Sequence, residues 1–409
     1  MKKFPDWFFN QSDWQEKTLG EVCEFSRGGN ISKKNLSEKG TPCILYGELY
    51  TFYKEIADKI KSFTDVEEKK LTLGKSGDIL MPLSGETAED ISVATCVLND
   101  KVAYGGDLLI LRTSAENDGR FISYLINSTL KLKIAKIAQG KSIVHINADN
   151  LKILKIKIPC LEEQKKIAEY FTHLDNAINA QETKLKSWRE VKKAMLQKIF
   201  AQEYFFTQDN GDKFPAWQEK TLGEVAEITS SKRIFVSEYV SEGVPFIRGQ
   251  EISDNSISSS EKFNCYISEE RYNEIKNQSG VPQKNDILIT AVGTIGNLYL
   301  VEEDKKFYFK DGNIIWIKNF NQSIAANYLK IFMQSYNFKN QILNFAMGGA
   351  QKALTIEKLF NAKIKIPCLE EQKKIAEYFS SLDRIIDAEN KMLENLRLMK
   401  KGLLQKLFV

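Results

Sequence analysis

The sequence predicts an α/β protein of α+β character: two tandem domains with twisted β-sheets, each followed by a long helix. The two helices are expected to form an antiparallel coiled coil with pseudo-two-fold symmetry. Three observations predict this. The chain repeats itself once. Each copy ends in a long run without proline. Between the repeated ends lie short β-rich runs broken by Gly, Ser and Asn.

The repeat comes first because it sets the boundaries. Trp14 to Val22 (WQEKTLGEV) recurs identically at Trp217 to Val225, an offset of 203, and Lys155 to Phe171 (KIKIPCLEEQKKIAEYF) recurs identically at Lys363 to Phe379, an offset of 208. Lys192 to Phe200 answers Lys400 to Phe408. Between these anchors only a skeleton survives: Gly40-Thr41-Pro42 beside Gly243-Val244-Pro245, and Gly77-Asp78-Ile79-Leu80 beside Asn285-Asp286-Ile287-Leu288. Near-identical ends around divergent middles imply one shared geometry serving two different tasks. The boundaries expected are 1–154 for the first variable domain, 155–200 for a central spacer helix region and 201–216 for a polar, turn-rich linker. The second variable domain then spans 217–362 and a distal spacer helix region 363–409.

Each shared segment opens with Lys-Ile-Lys-Ile, a short strand signal stopped by Pro159 or Pro367. Glu162-Glu163 and Glu370-Glu371 then stand where the first turn of a helix favours negative charge. Apolar residues follow at alternating steps of four and three: Ile167, Phe171, Leu174, Ile178, Leu185, Trp188, Met195 and Ile199, with Gln181 and Lys192 in the gaps. The second run gives Ile375, Phe379, Leu382, Ile386, Leu393, Leu396, Leu403 and Leu407, with Glu389 and Lys400 in the gaps. This is a heptad seam, and a helix of this length would reach roughly 58 Å at about 1.5 Å per residue. The register expected for antiparallel pairing sets Lys192 against Glu389 and Gln181 against Lys400, with Leu185 facing Leu396 and Trp188 facing Leu393. A slide by one heptad would set charge against apolar side chains, which is costly.

The variable domains hold strand signals such as Leu108–Leu111 and Ile314–Ile317. The polar loops between such strands are the places to look for contacts with a ligand. In the first domain the candidates are Arg27, Lys33, Lys34, Tyr46, Ser84, Thr87, Lys141, Ser142 and His145; in the second they are Ser231, Lys232, Arg233, Arg248, Gln250, Thr290, Thr294, Gln351 and Lys352. Arg can read guanine edges in bidentate fashion, Gln can read adenine, and Lys and Ser position phosphates. Glycines in these loops would let backbone approach a duplex closely.

Composition sets the outer limits. The 409 residues suit two or more domains, and 43% hydrophobic with 27% charged residues reads as globular. A net charge of +4 decides little, because local basic loops can be balanced elsewhere. The absence of a long apolar run or a signal-like start implies no membrane association and a cytoplasmic protein. Six cysteines without a CxxC pair and only two histidines give no zinc-ligand spacing; reduced, mostly buried thiols are expected. Gly140-Lys141-Ser142 is not a P-loop, because Ala135 stands where the motif needs glycine. No GxSxG, HExxH or DxDxDG pattern occurs, so neither catalytic residues nor a bound metal is expected.

The segment Pro159 to Ala168 (PCLEEQKKIA), its copy at Pro367 to Ala376, and the Leu-Gln-Lys-Ile/Leu-Phe endings resemble type I restriction-modification specificity subunits. The family's second proline is replaced by Cys160 and Cys368. The resemblance covers the whole chain. It implies that each variable domain is a target recognition domain for one half of a bipartite site on double-stranded DNA. It implies helices at 162–200 and 370–408 that dock two methyltransferase subunits, with endonuclease/translocase subunits joining for cleavage. The chain would be a non-catalytic subunit without a cofactor of its own, S-adenosylmethionine being carried by the methyltransferase. Two rival readings are a self-contained methyltransferase or nuclease, and a coiled-coil adaptor that binds proteins only. The missing motifs speak against the first and the divergent middles against the second.

Overall fold

The computed structural model describes residues 13–29, 31–140, 143–253, 263–303, 305–347 and 352–408. Two compact units emerge: one of residues 1–183 with 390–409, the other of 184–389. Each therefore holds one variable domain plus a half of each long helix.

In the first unit a five-stranded sheet runs in the order Cys23–Arg27, Leu108–Thr113, Ile79–Pro82, Thr95–Val97, Ile56–Ala57. A four-stranded sheet runs in the order Ala103–Tyr104, Thr41–Ile44, Ser62–Thr64, Leu36–Ser37. The second unit has two four-stranded sheets: Glu227–Thr229, Ile314–Lys318, Ile287–Thr290, Leu298–Leu300, and Tyr239–Val240, Tyr266–Ile267, Val244–Ile247, Tyr308–Phe309. The surviving skeleton is explained locally. The Asp78 carboxylate accepts from the Lys75 N–H and, at 2.7 Å each, from Arg112 Nε and Nη2. Asp286 accepts from the Gln283 N–H and from Trp316 Nε1, both at 2.8 Å. Both carboxylates are buried and satisfied, as a buried charge must be.

The repeated ends meet in space. Gln15–Thr18 pairs antiparallel with Lys155–Ile158, and Gln218–Thr221 with Lys363–Ile366. Trp14 Nε1 donates to Glu163 at 3.1 Å, as Trp217 Nε1 does to Glu371 at 2.9 Å. Gln164, 1% exposed, receives the Asp118 N–H and donates to Asn117 and to the Pro159 carbonyl. Gln372, 0% exposed, does the same with Ala325, Ser323 and Pro367. The helix-opening glutamine thus ties each long helix to a loop of its own variable domain.

The long helices span Leu161–Phe200 and Leu369–Leu407. Their segments run antiparallel in both units, but the expected register is wrong. Lys192 pairs with Asp383 at 2.5 Å and Lys184 with Glu389 at 2.7 Å. In the other unit Lys400 pairs with Asp175 at 2.6 Å and Arg397 with Glu182 at 2.6 Å. Lys192 meets position 383 rather than 389, and Lys400 meets 175 rather than 181. The reason is a countercharge one step off the seam. Asp175 follows Leu174 and Asp383 follows Leu382, so both seam lysines meet an acid, whereas the expected register gave Lys192 an acid but set Lys400 against the neutral Gln181.

The Lys400 site is the more enclosed of the two. Its ammonium also binds Glu55 at 2.7 Å and lies 5.4 Å from the Tyr124 ring, whose hydroxyl donates to Asp175 at 2.7 Å. Burial alone would depress this ammonium, yet Glu55 and Asp175 outweigh it and hold it above the usual lysine range. Burial and then Glu55 push the Asp175 carboxyl upward despite the lysine. The cysteines depart from expectation: Cys23, Cys43 and Cys96 are buried, Cys265 and Cys368 are half-buried, and Cys160 is exposed in the turn before the helix.

Lys400→Met leaves two half-buried carboxylates without their cation, and a loss of about 3 kcal/mol, the lower end for a broken buried pair, is expected. Denaturant unfolding measures it, and adding Glu55→Gln and Asp175→Asn to the same chain should restore most of the loss. A lysine raised in the folded state contributes stability that is complete below its unfolded pKa, about 10.4. That contribution should hold at neutral pH and fall away as pH climbs past this range; an unchanged unfolding midpoint in K400M would remove the network from the account.

Candidate nucleic-acid interface

In the first domain Arg27 ends its strand, exposed. Lys33 and Lys34 lie exposed on a short 3-10 turn opened by Ser32, whose N–H donates to Asn35 Oδ1 at 3.0 Å. Tyr46 begins the helix Tyr46–Thr51, exposed, with its ring 6.4 Å from that of Tyr50. Burial, then Tyr46, Asp90 and Glu86, raise the Tyr50 phenol. Ser84 and His145 are direct partners in the antiparallel pair Ser84–Gly85 with Val144–His145. Thr87 is exposed, but its hydroxyl caps the helix Ala88–Ile91 by accepting the Asp90 N–H at 3.1 Å. Lys141 and Ser142 lie outside the described residues.

In the second domain Lys232 and Arg233 are exposed; the Lys232 N–H donates to the Tyr308 hydroxyl at 2.7 Å and Arg233 pairs with Asp311 at 2.8 Å. Arg248 follows the strand Val244–Ile247 and is half-buried against Glu251. Gln250 is exposed on the helix Gly249–Ser253. The Thr294 hydroxyl lies 2.7 Å from that of Ser253, and the Leu354 N–H donates to the Ala291 carbonyl. These contacts gather the loops bearing Gln250, Thr294 and Lys352. Gln351 lies outside the described residues.

Three expectations need correction. Thr290 is 0% exposed; its hydroxyl donates to the Thr294 carbonyl and accepts the Asn297 N–H, so it builds the loop and has no access to a ligand. The Ser231 hydroxyl is likewise buried, with no partner among the described residues. Gly28 also has an internal reason. A Cβ on Gly28 would stand 2.0 Å from the Gly105 carbonyl oxygen, so the close approach this residue permits is to its own backbone.

Among the described residues no three His, Cys, Asp or Glu side chains are grouped to hold a metal ion, and no helix is long and apolar enough to cross a membrane. What the described loops offer is basic, amide and hydroxyl side chains on rigid sheets.

Comparison with known proteins agrees with that chemistry. The profile described as "Type I restriction modification DNA specificity domain" matches residues 11–187 and 216–398. The chain belongs to this family of type I restriction-modification specificity subunits. Relatives include the type I restriction enzyme MjaVIII specificity subunit of Methanocaldococcus jannaschii, 26% identical over 96% of this chain and 91% of its own. The putative MjaX specificity subunit of the same organism is 27% identical over 96% of this chain and 92% of its own. The fold is that of the type I restriction-modification S subunit solved from M. genitalium, which matches all of this chain and 98% of its own at 18% identity, with a TM-score of 0.64. Family membership supports DNA sequence specificity as the role. Two matched spans separated by a gap coincide with the internal repeat, so the family's specificity domain occurs here twice.

Thr290→Val should cost about 1–3 kcal/mol, the usual range for stranding buried partners, while leaving the recognised DNA sequence unchanged. Thermal unfolding and a motif determination on the same variant check both halves; a changed motif at wild-type stability would return Thr290 to the interface.

Proposed function

We propose that this chain is the sequence-reading, non-catalytic subunit of a type I restriction-modification complex. One variable domain reads each half of a bipartite target on duplex DNA. The long helices dock the methyltransferase subunits, which bring S-adenosylmethionine, and endonuclease subunits join the assembly. One observation carries the reading: two domains on the same frame, clamped by identical Trp–Glu and Gln contacts, present different side chains from their loops. A protein-only adaptor has no use for such divergence.

The exposed candidates, Arg27, Lys33, Lys34, Tyr46 and His145 in one domain and Lys232, Arg233, Gln250, Thr294 and Lys352 in the other, are proposed to divide into phosphate-positioning and base-reading groups. A likeness to a solved structure concerned with complex assembly and conformational transition of the type I system (TM-score 0.57, 18% identity) supports a frame suited to assembly.

The test is to express the chain with its methyltransferase and map methylated adenines across the host genome. A split motif is expected, and exchange of residues 14–154 for those of another family member should change one half of it and leave the other intact. Methylation without sequence preference would favour the adaptor reading instead.

A further inference from the structure

The two domains can be compared at one corner where their backbones agree and their chemistry does not. In each, a strand runs parallel to a second one: Cys43 and Ile44 beside Ala103 and Tyr104, Phe246 and Ile247 beside Tyr308 and Phe309. In each, the next residue's N–H donates to a carboxylate three positions on: Leu45 to Glu48 at 2.9 Å, Arg248 to Glu251 at 3.0 Å. In each, the residue leaving the second strand donates its N–H back to the first: Gly105 to Ile44 and Lys310 to Ile247, both at 2.9 Å.

In the first domain this corner is closed and apolar. Leu45 is 6% exposed and packs with Ile31, Cys43 and Ala103. In the second it carries cations. Arg248 and Lys310 leave adjacent strand ends, and Arg233 reaches the neighbouring Asp311. The Arg248 Nη2 is held at 3.1 Å by Glu251 and its Nε is buried, without a partner among the described residues; the side chain remains 35% exposed, so its Nη end is what a ligand can meet. A guanidinium fixed on one side by a carboxylate loses rotamer freedom before it meets a ligand, which favours the bidentate pairing by which Arg reads a guanine edge.

We propose that Arg248 reads a guanine in the half-site of the second domain, with Glu251 as its positioning residue, and that the first domain makes no such contact from the equivalent Leu45. This rests on the DNA-reading function proposed above. The Arg233 and Lys310 cations beside it suit the flanking phosphates.

The test uses the full chain in complex with its methyltransferase: wild type, Arg248→Leu, Arg248→Gln and Glu251→Gln. Competition binding is measured with duplexes carrying each base at each position of the mapped motif. Arg248→Leu copies the residue that the first domain already accommodates beside the same carboxylate. It should lose about 5- to 150-fold of discrimination at a single guanine, with all other positions unchanged. Arg248→Gln should shift that position toward adenine, and it decides the matter should the leucine variant fail to fold. Glu251→Gln should keep the guanine preference but weaken it. An Arg248→Leu complex with wild-type preference at every position overturns the proposal. So does a uniform loss on all sequences with a salt slope smaller by about one, which marks a phosphate contact. A wild-type complex with no sequence preference would instead overturn the function proposed above, and this inference with it.

Discussion

The constraint on which the rest depends is that neither repeat closes its core with its own stretch of chain. Phe200, at the end of the first long helix, packs against Trp217, Tyr328 and Phe332, with ring centroids 5.3–6.1 Å apart. Phe408, at the end of the second, packs against Trp14 and Phe121 at 6.2 and 5.4 Å. Each core therefore needs the far end of the helix that the other repeat begins. Such rings bury large apolar areas and dominate local stability, so the helix length and the Leu-Gln-Lys-Ile/Leu-Phe ending are fixed together.

That constraint accounts for the uneven divergence of the two repeats. The identical stretches are those that touch one another: the Gln-Glu-Lys-Thr strand, the Lys-Ile-Lys-Ile strand, the indole-accepting glutamate and the clamp glutamine. A change in their buried members, such as Ile156, Ile158, Ile364, Ile366, Gln164, Gln372 or Glu371, would leave a buried polar group unpaired or open a gap in a packed core, both costly. The loops beyond the sheets carry no such load. Their sequence can change as long as the turn chemistry holds, which is why Asp78 and Asp286 persist while their cross-strand partners are an arginine in one domain and a tryptophan in the other.

Much of the frame was legible in the sequence because it is written in local patterns. Repetition gave the tandem organisation and the antiparallel sense of the helices, alternation gave the Lys-Ile-Lys-Ile strands, and the four-and-three spacing gave the helices themselves. The register was not legible from the seam alone. The reading matched polar gaps to polar gaps, whereas the lysines are answered by Asp175 and Asp383, which sit one position beside the apolar row. The offset of 208 relates Lys192 to Lys400, Asp175 to Asp383 and equally Gln181 to Glu389, so spacing does not choose the register; the distinguishing signal is that positions 175 and 383 are acids in both copies, whereas Gln181 is neutral. Thr290 and Ser231 were misassigned for a different reason. Residue type alone does not separate a buried hydroxyl, whether bonded to its own loop like that of Thr290 or without a partner among the described residues like that of Ser231, from one that faces solvent, because all occur in polar turns.

The corner that holds Leu45 in one domain and Arg248 in the other shows how one frame can serve two readers. The turn there is held by main-chain donation to a carboxylate, and that bond is indifferent to the side chain at the position that donates. In the first domain the second oxygen of Glu48 receives the Ser62 hydroxyl at 2.5 Å; in the second, that of Glu251 receives the Arg248 guanidinium. The carboxylate is thus satisfied either way, so replacing leucine by arginine strands no buried charge. Positions whose geometry is secured by backbone and a neighbouring acid are free to vary in chemistry. Positions that secure geometry with their own side chain, such as Gln164 and Gln372, are not.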